Sequence, residues 1–337
     1  SATKLDAVGS NIIINGGQTV DQRNSGSAIT LTSSHQYATD RFICRLGTSS
    51  SSTAQRVADA PDGLYNSVKI TIGTGATPSA ATATGYFAYK TEGLDTSHLN
   101  FGSSNAQTIT LSFYVKSSLT GSFGVTVAND ALNRSFPSSY TINSANTWER
   151  KSITVTGDTS GTWATTTAAA FYLLWDLGCG SDVKGTANTW AGSDFRGGAT
   201  GTINVCATSS ATWQITGVQL EVGDTATDFE VKSFEKELYA SRRYYSRRYL
   251  GNLGIGWAGG ANQWNYKPIV QVPQMRATPT VSYQGGVSGG TWHSSASAKG
   301  FSANSPEVST IYQMSNGANN DIYISGNDFY IIADAEL

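Results

Sequence analysis

Apolar residues in this chain recur in short runs, many alternating with polar ones at the period of a half-buried β-strand. Residues 68–73 (Val-Lys-Ile-Thr-Ile-Gly), 108–116 and 122–128 follow the pattern, and the Gly-bearing segment 117–121 joins the last two as a hairpin. Residues 11–15, 148–155, 169–177, 201–207 and 212–222 are further strand-like runs. About eight strands over the first 220 or so residues, joined by Ser-, Gly- and Asn-rich loops, predict a β-sandwich of the jelly-roll kind. The polar run 49–53 and the Ala/Thr/Ser segment 76–84 read as exposed loops, and 156–161 as a turn-rich corner.

The pattern changes near residue 233. Ser233 is an N-cap candidate, Glu235 and Glu237 suit the first turn of a helix, and Arg242 and Arg243 suit its last. Phe234, Leu238 and Tyr239 fall on one face. Alternation returns in 267–274, 278–283, 321–325 and 328–333, and the apolar terminal strand is expected to be buried. The chain therefore reads as all-β: a jelly roll over 1–230, a helical linker over 231–249 and a second, smaller β-sandwich domain over 250–337.

Composition narrows the function. Only 14% of the 337 residues are charged, whereas Ser and Thr number 82 and Gly 36, which disfavours a mostly helical protein. A net charge of -2 argues against a protein that tracks nucleic-acid phosphates. No apolar run reaches the ~18 residues of a membrane helix, so no membrane insertion is expected. Charge is also uneven: residues 1–232 carry 14 basic and 17 acidic side chains, 233–250 carry 5 and 2, and 251–337 carry 3 and 5. A short basic, Tyr/Arg-rich piece thus divides two weakly acidic ones.

The opening Ser-Ala-Thr-Lys-Leu-Asp has no apolar core of a signal peptide and reads as a mature cytosolic product. Cys44, Cys179 and Cys206 are too few and too scattered for a disulfide framework, although Cys179 and Cys206 could meet across adjacent strands. With no Cys-x-x-Cys and no clustered His, a zinc site is not expected. His35, His98 and His293 are isolated, and no nucleophile elbow or phosphate-binding loop is present. Asp176 with Asp182, and Asp224, Asp228 and Glu230, are carboxylate groupings without a glycosidase's spacing. Asp59 and Asp62 read as turn formers. No catalytic residues are assigned.

Three stretches bear on the family. The first is Ile14-Asn15-Gly16-Gly17-Gln18-Thr19-Val20-Asp21-Gln22-Arg23, with Tyr37-Ala38-Thr39-Asp40-Arg41-Phe42 downstream. The second runs from Thr216-Gly217-Val218-Gln219-Leu220-Glu221 through Asp228-Phe229-Glu230, followed by Glu237-Leu238 and Arg243-Tyr244-Tyr245. The third is Met275-Arg276-Ala277-Thr278-Pro279-Thr280-Val281 with the closing Ala333-Asp334-Ala335-Glu336-Leu337. Together they resemble bacteriophage tail-fibre and fibre-like virion proteins with a carbohydrate-binding-module-type jelly roll. The resemblance spans residues 11–337, and its middle stretch is the most specific.

What it implies is a non-enzymatic virion protein, made in the bacterial cytoplasm and exposed on the particle. It would form a homotrimer, touch other virion proteins and contact host-surface polysaccharide as a short tail fibre or receptor-binding protein. A structural calcium ion is the one cofactor the resemblance would add, although no loop has EF-hand spacing. Two alternatives stay open: a capsid decoration, head-fibre or tail adaptor protein without a ligand, and, further off, a polysaccharide depolymerase.

Sugar recognition needs aromatic faces and amides or carboxylates to hold hydroxyls. Trp190, Trp257, Trp264 and Trp292 lie in polar or Gly-rich loops, and Asn262, Tyr266 and His293 stand beside them; these seven are the glycan-binding candidates. Trp148, Trp175 and Trp213 lie in strand patterns and read as core, while Trp163 is a further available ring. Arg242, Arg243, Tyr244, Tyr245, Arg247 and Arg248 are the subunit-interface candidates, pairing with acidic neighbours around a threefold axis.

Overall fold

The computed structural model describes residues 11–49, 51–249, 253–255, 269–271, 274–284, 298–305, 308–314, 322–324 and 330–337. The chain divides into two compact units, with the division between Glu237 and Leu238. The protein is all-β, and its larger unit is a jelly-roll sandwich.

That unit contains β1 (Ile29–Thr30), β2 (Gln36–Thr39), β3 (Phe42–Leu46), β4 (Thr53–Val57), β5 (Ser67–Thr71) and β6 (Gly85–Glu92). A four-residue helix, α1 (Gly93–Thr96), separates these from β7 (Ile109–Ser117), β8 (Gly121–Asn129), β9 (Ser135–Ile142), β10 (Glu149–Val155), β11 (Ala169–Asp176) and β12 (Thr212–Val222). The first sheet has the order β1-β4-β5-β12-β7-β10 and the second β2-β3-β6-β11-β8-β9. All their pairings are antiparallel, so each strand presents alternate residues to the core and to the outside.

Aromatic rings fill the space between the sheets. Trp175 of β11 and Trp213 of β12 are fully buried, as the strand pattern predicted. Phe87 packs between them, with ring centroids 6.0 and 5.5 Å away, and stacks on Phe42 at 5.4 Å. Phe113 meets Trp175 and Tyr140 edge-on, an arrangement that the ring quadrupole favours. The buried Trp213 Nε1–H donates to the Tyr140 hydroxyl at 3.0 Å, so burial leaves neither group unsatisfied.

Several expectations are corrected. Residues 11–15 form no strand, because the buried Asn11 and Asn15 substitute side-chain hydrogen bonds for a ladder. Asn15 sits at φ +62, the left-handed region that Asn tolerates. Residues 201–207 are loop and a 3-10 turn (Val205–Ala207) rather than a strand. The polar run 49–53 is exposed only in part: Ser51 is exposed, but Ser49 and Ser52 are buried and bond to each other, and Thr53 begins β4. Trp148 lies outside the core, where its Nε1–H donates to Asp59. Asp59 is more than a turn former, because it also pairs with Lys116 at 2.5 Å and clamps the 58–66 loop over the first sheet.

The segment 11–16 runs beside β12. Ile12 N donates to Leu220 O, Val218 N donates to Gly16 O, and Asn11 Nδ2 donates to Val218 O. β12 carries a bulge between Thr216 and Gln219, with Gly217 at φ +59. A Cβ there would lie 2.8 Å from the Tyr114 ring, so the bulge demands glycine twice over. A Cβ at Gly16 would overlap the Val218 carbonyl oxygen.

Helix α2 (Phe234–Arg242) starts where expected, with Lys236 N–H reaching Ser233 Oγ at 3.4 Å. Its apolar residues do not form its buried face. Phe234 and Tyr239 are exposed, while Glu237 and Ser241 are buried. Glu237 Oε2 accepts the Asn15 N–H at 2.6 Å, which explains why a carboxylate is turned inward.

The smaller unit begins within the stretch expected to be a linker. It contains β13 (Tyr245–Tyr249), β14 (Leu253–Ile255), β15 (Ile269–Gln271), β16 (Thr280–Gln284), β17 (Ala298–Ser305), β18 (Val308–Met314), β19 (Ile322–Ile324) and β20 (Tyr330–Asp334). They form sheets of order β13-β20-β16, β14-β19 and β15-β18-β17. β20 is central in its sheet, and Ile331 and Ala333 are buried, as the apolar terminal strand predicted.

Two predictions follow from the Asn15 turn. Asn15→Ala removes three side-chain bonds from buried backbone groups and is expected to lower unfolding free energy by about 2–4 kcal/mol in urea denaturation. Burial raises the Glu237 pKa above its ordinary 4.5. The native state therefore holds the proton more tightly than the unfolded chain, and this contribution to stability declines as pH rises above that value. Glu237→Gln, which keeps an acceptor for Asn15 N–H, is expected to gain on the parent between about pH 4 and about pH 7; urea midpoints at both ends check it.

Candidate functional site

The second sheet turns an unusual set of side chains outward. In β6 the apolar Phe87 and Tyr89 face the core, so Tyr86, Ala88 and Lys90 face away. The antiparallel register sets Arg45 of β3 opposite Tyr86, and Tyr172 of β11 opposite Lys90. His35 directly precedes β2. These residues are far apart in sequence, yet the sheet brings them together: Tyr86 and Tyr172 lie in a second buried cluster with Ala88, Leu174, Cys179 and Val183, and His35, Arg45 and Lys90 stand at its accessible edge.

Their contacts form a continuous network. His35 Nε2 lies 2.8 Å from the Tyr86 hydroxyl and 3.5 Å from that of Tyr172, and Tyr172 Oη–H donates to Tyr86 Oη at 3.1 Å. The Lys90 ammonium caps the Tyr172 ring 4.7 Å from its centroid and pairs with Asp130 at 2.6 Å. Arg196 holds Asp194 through both its Nε and Nη2 and sits beside Tyr86. Burial lowers the His35 pKa, and Lys90, Arg45 and Arg196 lower it further, so the imidazole stays neutral at neutral pH. Burial raises the Tyr172 pKa, and the neighbouring Tyr86 adds to it. The buried Tyr86 and Tyr172 hydroxyls therefore brace a neutral imidazole, and the accessible groups are His35 and its rim of Lys90, Asp130, Asp194, Arg196 and Arg45. These rim side chains can give and accept hydrogen bonds in several directions.

The excursion from β11 to β12, residues 177–211, covers the neighbouring part of the sheet. Thr126 Oγ1–H donates to Phe195 O and accepts from Gly198 N–H, and Ala199 N–H donates to Ser138 O. Its root is a buried ion pair between Asp176 and Lys184 at 2.7 Å. Asp176 also accepts the N–H groups of Gly178 and Cys179, while Lys184 donates to Thr202. Burial pushes the Asp176 pKa up, and Lys184 works against that shift. Both charges are internally satisfied, which marks a structural rivet rather than a reactive pair.

A cleft of about 410 Å³ opens beside this rivet, lined by Thr77, Pro78, Cys179, Ser181, Lys184 and Asn204 among others. Its thiol is inert in character: burial raises the Cys179 pKa well above the usual value, and Cys206 is pushed up to about 11. Cys44, Cys179 and Cys206 are free and buried, so the Cys179–Cys206 pairing does not form. Among the described residues, no group of three or more His, Cys, Asp or Glu side chains could hold a metal ion.

Of the expected sugar platforms, Trp190 is half-buried and works as a plug. Its ring packs on Phe136, Trp163 and Phe101, and its Nε1–H donates to Thr156 O at 2.7 Å. Trp163 is buried in the same cluster. Trp257, Asn262, Trp264, Tyr266, Trp292 and His293 lie outside the described residues. Of the expected interface residues, Tyr244 and Tyr245 are buried within the chain itself, because β13 pairs with β20 and Tyr244 O accepts the Ala335 N–H. Arg242, Arg243 and Arg247 are half-buried and Arg248 is exposed; the Arg247 guanidinium stacks 3.7 Å from the Tyr330 ring centre.

Sequence reasoning missed the outward face of the second sheet. Its residues form no motif, and its one local signal is the alternation Tyr86, Ala88, Lys90 within a strand whose other face is equally hydrophobic.

No protein-family model and no curated protein matches the sequence. Among solved structures, the chain is similar to the enzymatically active domain of bacteriophage CBA120 tailspike protein 4, with 13% identity and a TM-score of 0.33 over 63% of this chain. The match spans only 21% of the tailspike chain's length. The chain is also similar to a CBM4 structure, with 15% identity and a TM-score of 0.32, covering 61% of this chain and 100% of that one. A third similarity is to the tandem CBM22-1–CBM22-2 domain of Paenibacillus barcinonensis Xyn10C, with 11% identity and a TM-score of 0.30 over 92% of each chain.

Proposed function

We propose that this chain is a non-enzymatic virion protein, a short tail fibre or receptor-binding protein that contacts host-surface glycan through the outward face of its second sheet. The observation that carries the reading is the His35–Tyr86–Tyr172 hydrogen-bond network with its rim of Lys90, Asp130, Asp194 and Arg196. Sugar hydroxyls are donors and acceptors at once, and His35 with the rim side chains supplies both on a rigid strand scaffold braced by the buried tyrosines. The three stretches that resemble phage fibre proteins support the virion part of the proposal. Homotrimer formation and contact with other virion proteins belong to the same proposal.

One observation favours a second reading, a capsid decoration or adaptor protein without a ligand. Tyr86 and Tyr172 expose only 1% and 2% of their surface, so neither their rings nor their hydroxyls are open to a ligand. Binding of purified protein to host-surface polysaccharide and to a glycan array separates the two readings. The fibre reading expects saturable binding, and His35→Ala weakens it about five- to tenfold, the worth of roughly one ligand hydrogen bond. His35 also partners the buried Tyr86 hydroxyl, so its loss is expected to lower unfolding free energy by about 1 kcal/mol, which urea denaturation measures, and to leave the protein folded. Absence of binding to every glycan would establish the second reading instead.

A further inference from the structure

We infer that the sugar taken by the outward face of the second sheet carries a carboxylate, and that Arg45 is the cation that receives it. The inference rests on the glycan-contact reading and names the chemical class of its ligand.

The charges on this face do not balance. Lys90 is paired with Asp130, and Arg196 with Asp194. Arg45 stands in the same patch, opposite Tyr86 in the β-ladder, and no ion pair to it is found among the described residues. Its Nε is buried and meets no acceptor there. The side chain as a whole is only half-buried, which leaves it open to a ligand. Arg45 is also close enough to His35 to act on its ionisation, together with Lys90 and Arg196. The unmatched charge therefore lies at the network's edge rather than elsewhere on the strand.

A planar guanidinium fits a planar carboxylate through two parallel N–H···O bonds, a fit that a neutral sugar hydroxyl cannot reproduce. The exposed His35 imidazole is placed to engage a hydroxyl of the same ring. Asp130 and Asp194 would repel the closely spaced phosphates of a nucleic acid, while a sugar acid with one charge per residue can set its carboxylate on Arg45.

The test compares polygalacturonate oligomers with their methyl esters, which keep the sugar scaffold and remove the charge. The acid form is expected to bind at least about tenfold more tightly by calorimetry, with the preference shrinking as salt is raised. Arg45→Gln is expected to abolish the preference, and Arg45→Lys, which keeps charge without the fork, to retain part of it; thermal unfolding checks that both fold. If Arg45→Gln fails to fold, the salt titration of the parent and Arg45→Lys still decide the matter. Equal binding of acid and ester, or a preference that survives in Arg45→Gln, overturns the inference while leaving glycan contact standing. Binding of neither form overturns the inference, and the glycan array decides the glycan-contact reading separately.

Discussion

The sandwich depends on how residues 11–16 are held against β12. A segment at that position cannot continue a regular ladder, because β12 bulges at Gly217 and its partner must follow the distortion. Two asparagines solve the problem. Asn11 Oδ1 accepts from Ile13 and Leu220 N–H, and Asn15 bridges Val20 to Asp40. Carboxylates then satisfy the backbone donors left over: Glu230 takes Asn11 N–H and Glu237 takes Asn15 N–H, both at 2.6 Å. Lys232 completes the arrangement on Asn11 O. The stretches 14–23, 37–42 and 216–237, which look unrelated along the chain, are parts of one hydrogen-bonded assembly.

Around that assembly, each sheet is covered in a different way. Asp59 draws the 58–66 loop across the first sheet, towards Lys116 and Trp148. The 223–230 segment folds back over β12, where Gln219 and Glu221 engage Thr227. On the second sheet, residues 177–211 lie over β8 and β9, rooted in the Asp176–Lys184 pair. Covers made of loop backbone need short hydrogen-bonding side chains more than charges. The abundance of Ser and Thr and the scarcity of charge follow from this architecture.

β10 was legible in the sequence because its buried and exposed residues alternate, and β7 and β12 were legible because apolar residues alternate with polar ones there although most positions are buried. β6 was not: Gly85–Glu92 is buried at all positions but one, and a run buried on both faces carries no alternation to read. Residues 11–15 failed for the opposite reason, since an apolar run flanked by asparagines imitates a strand whose hydrogen bonds those asparagines have already replaced. Trp148 was misplaced because a strand pattern reports which residues alternate and not where the strand begins. The candidate site was the least legible feature. Its His, Tyr, Lys and Arg residues come from separate strands and one long excursion, so only the register of the sheet brings them together.

The tie between Asn11 and Glu230 has a mechanical consequence. The chain enters the sandwich and leaves it at one corner, joined there by short polar bonds. Tension applied along the polypeptide through those two points is borne by the Asn11–Glu230 and Asn11–Lys232 contacts before it reaches either sheet. The sheets and the outward face of the second one keep their shape under load until that fastening gives way. A module fastened in this manner behaves as a rigid bead on a string, able to hold its surface geometry while the strand that carries it is pulled.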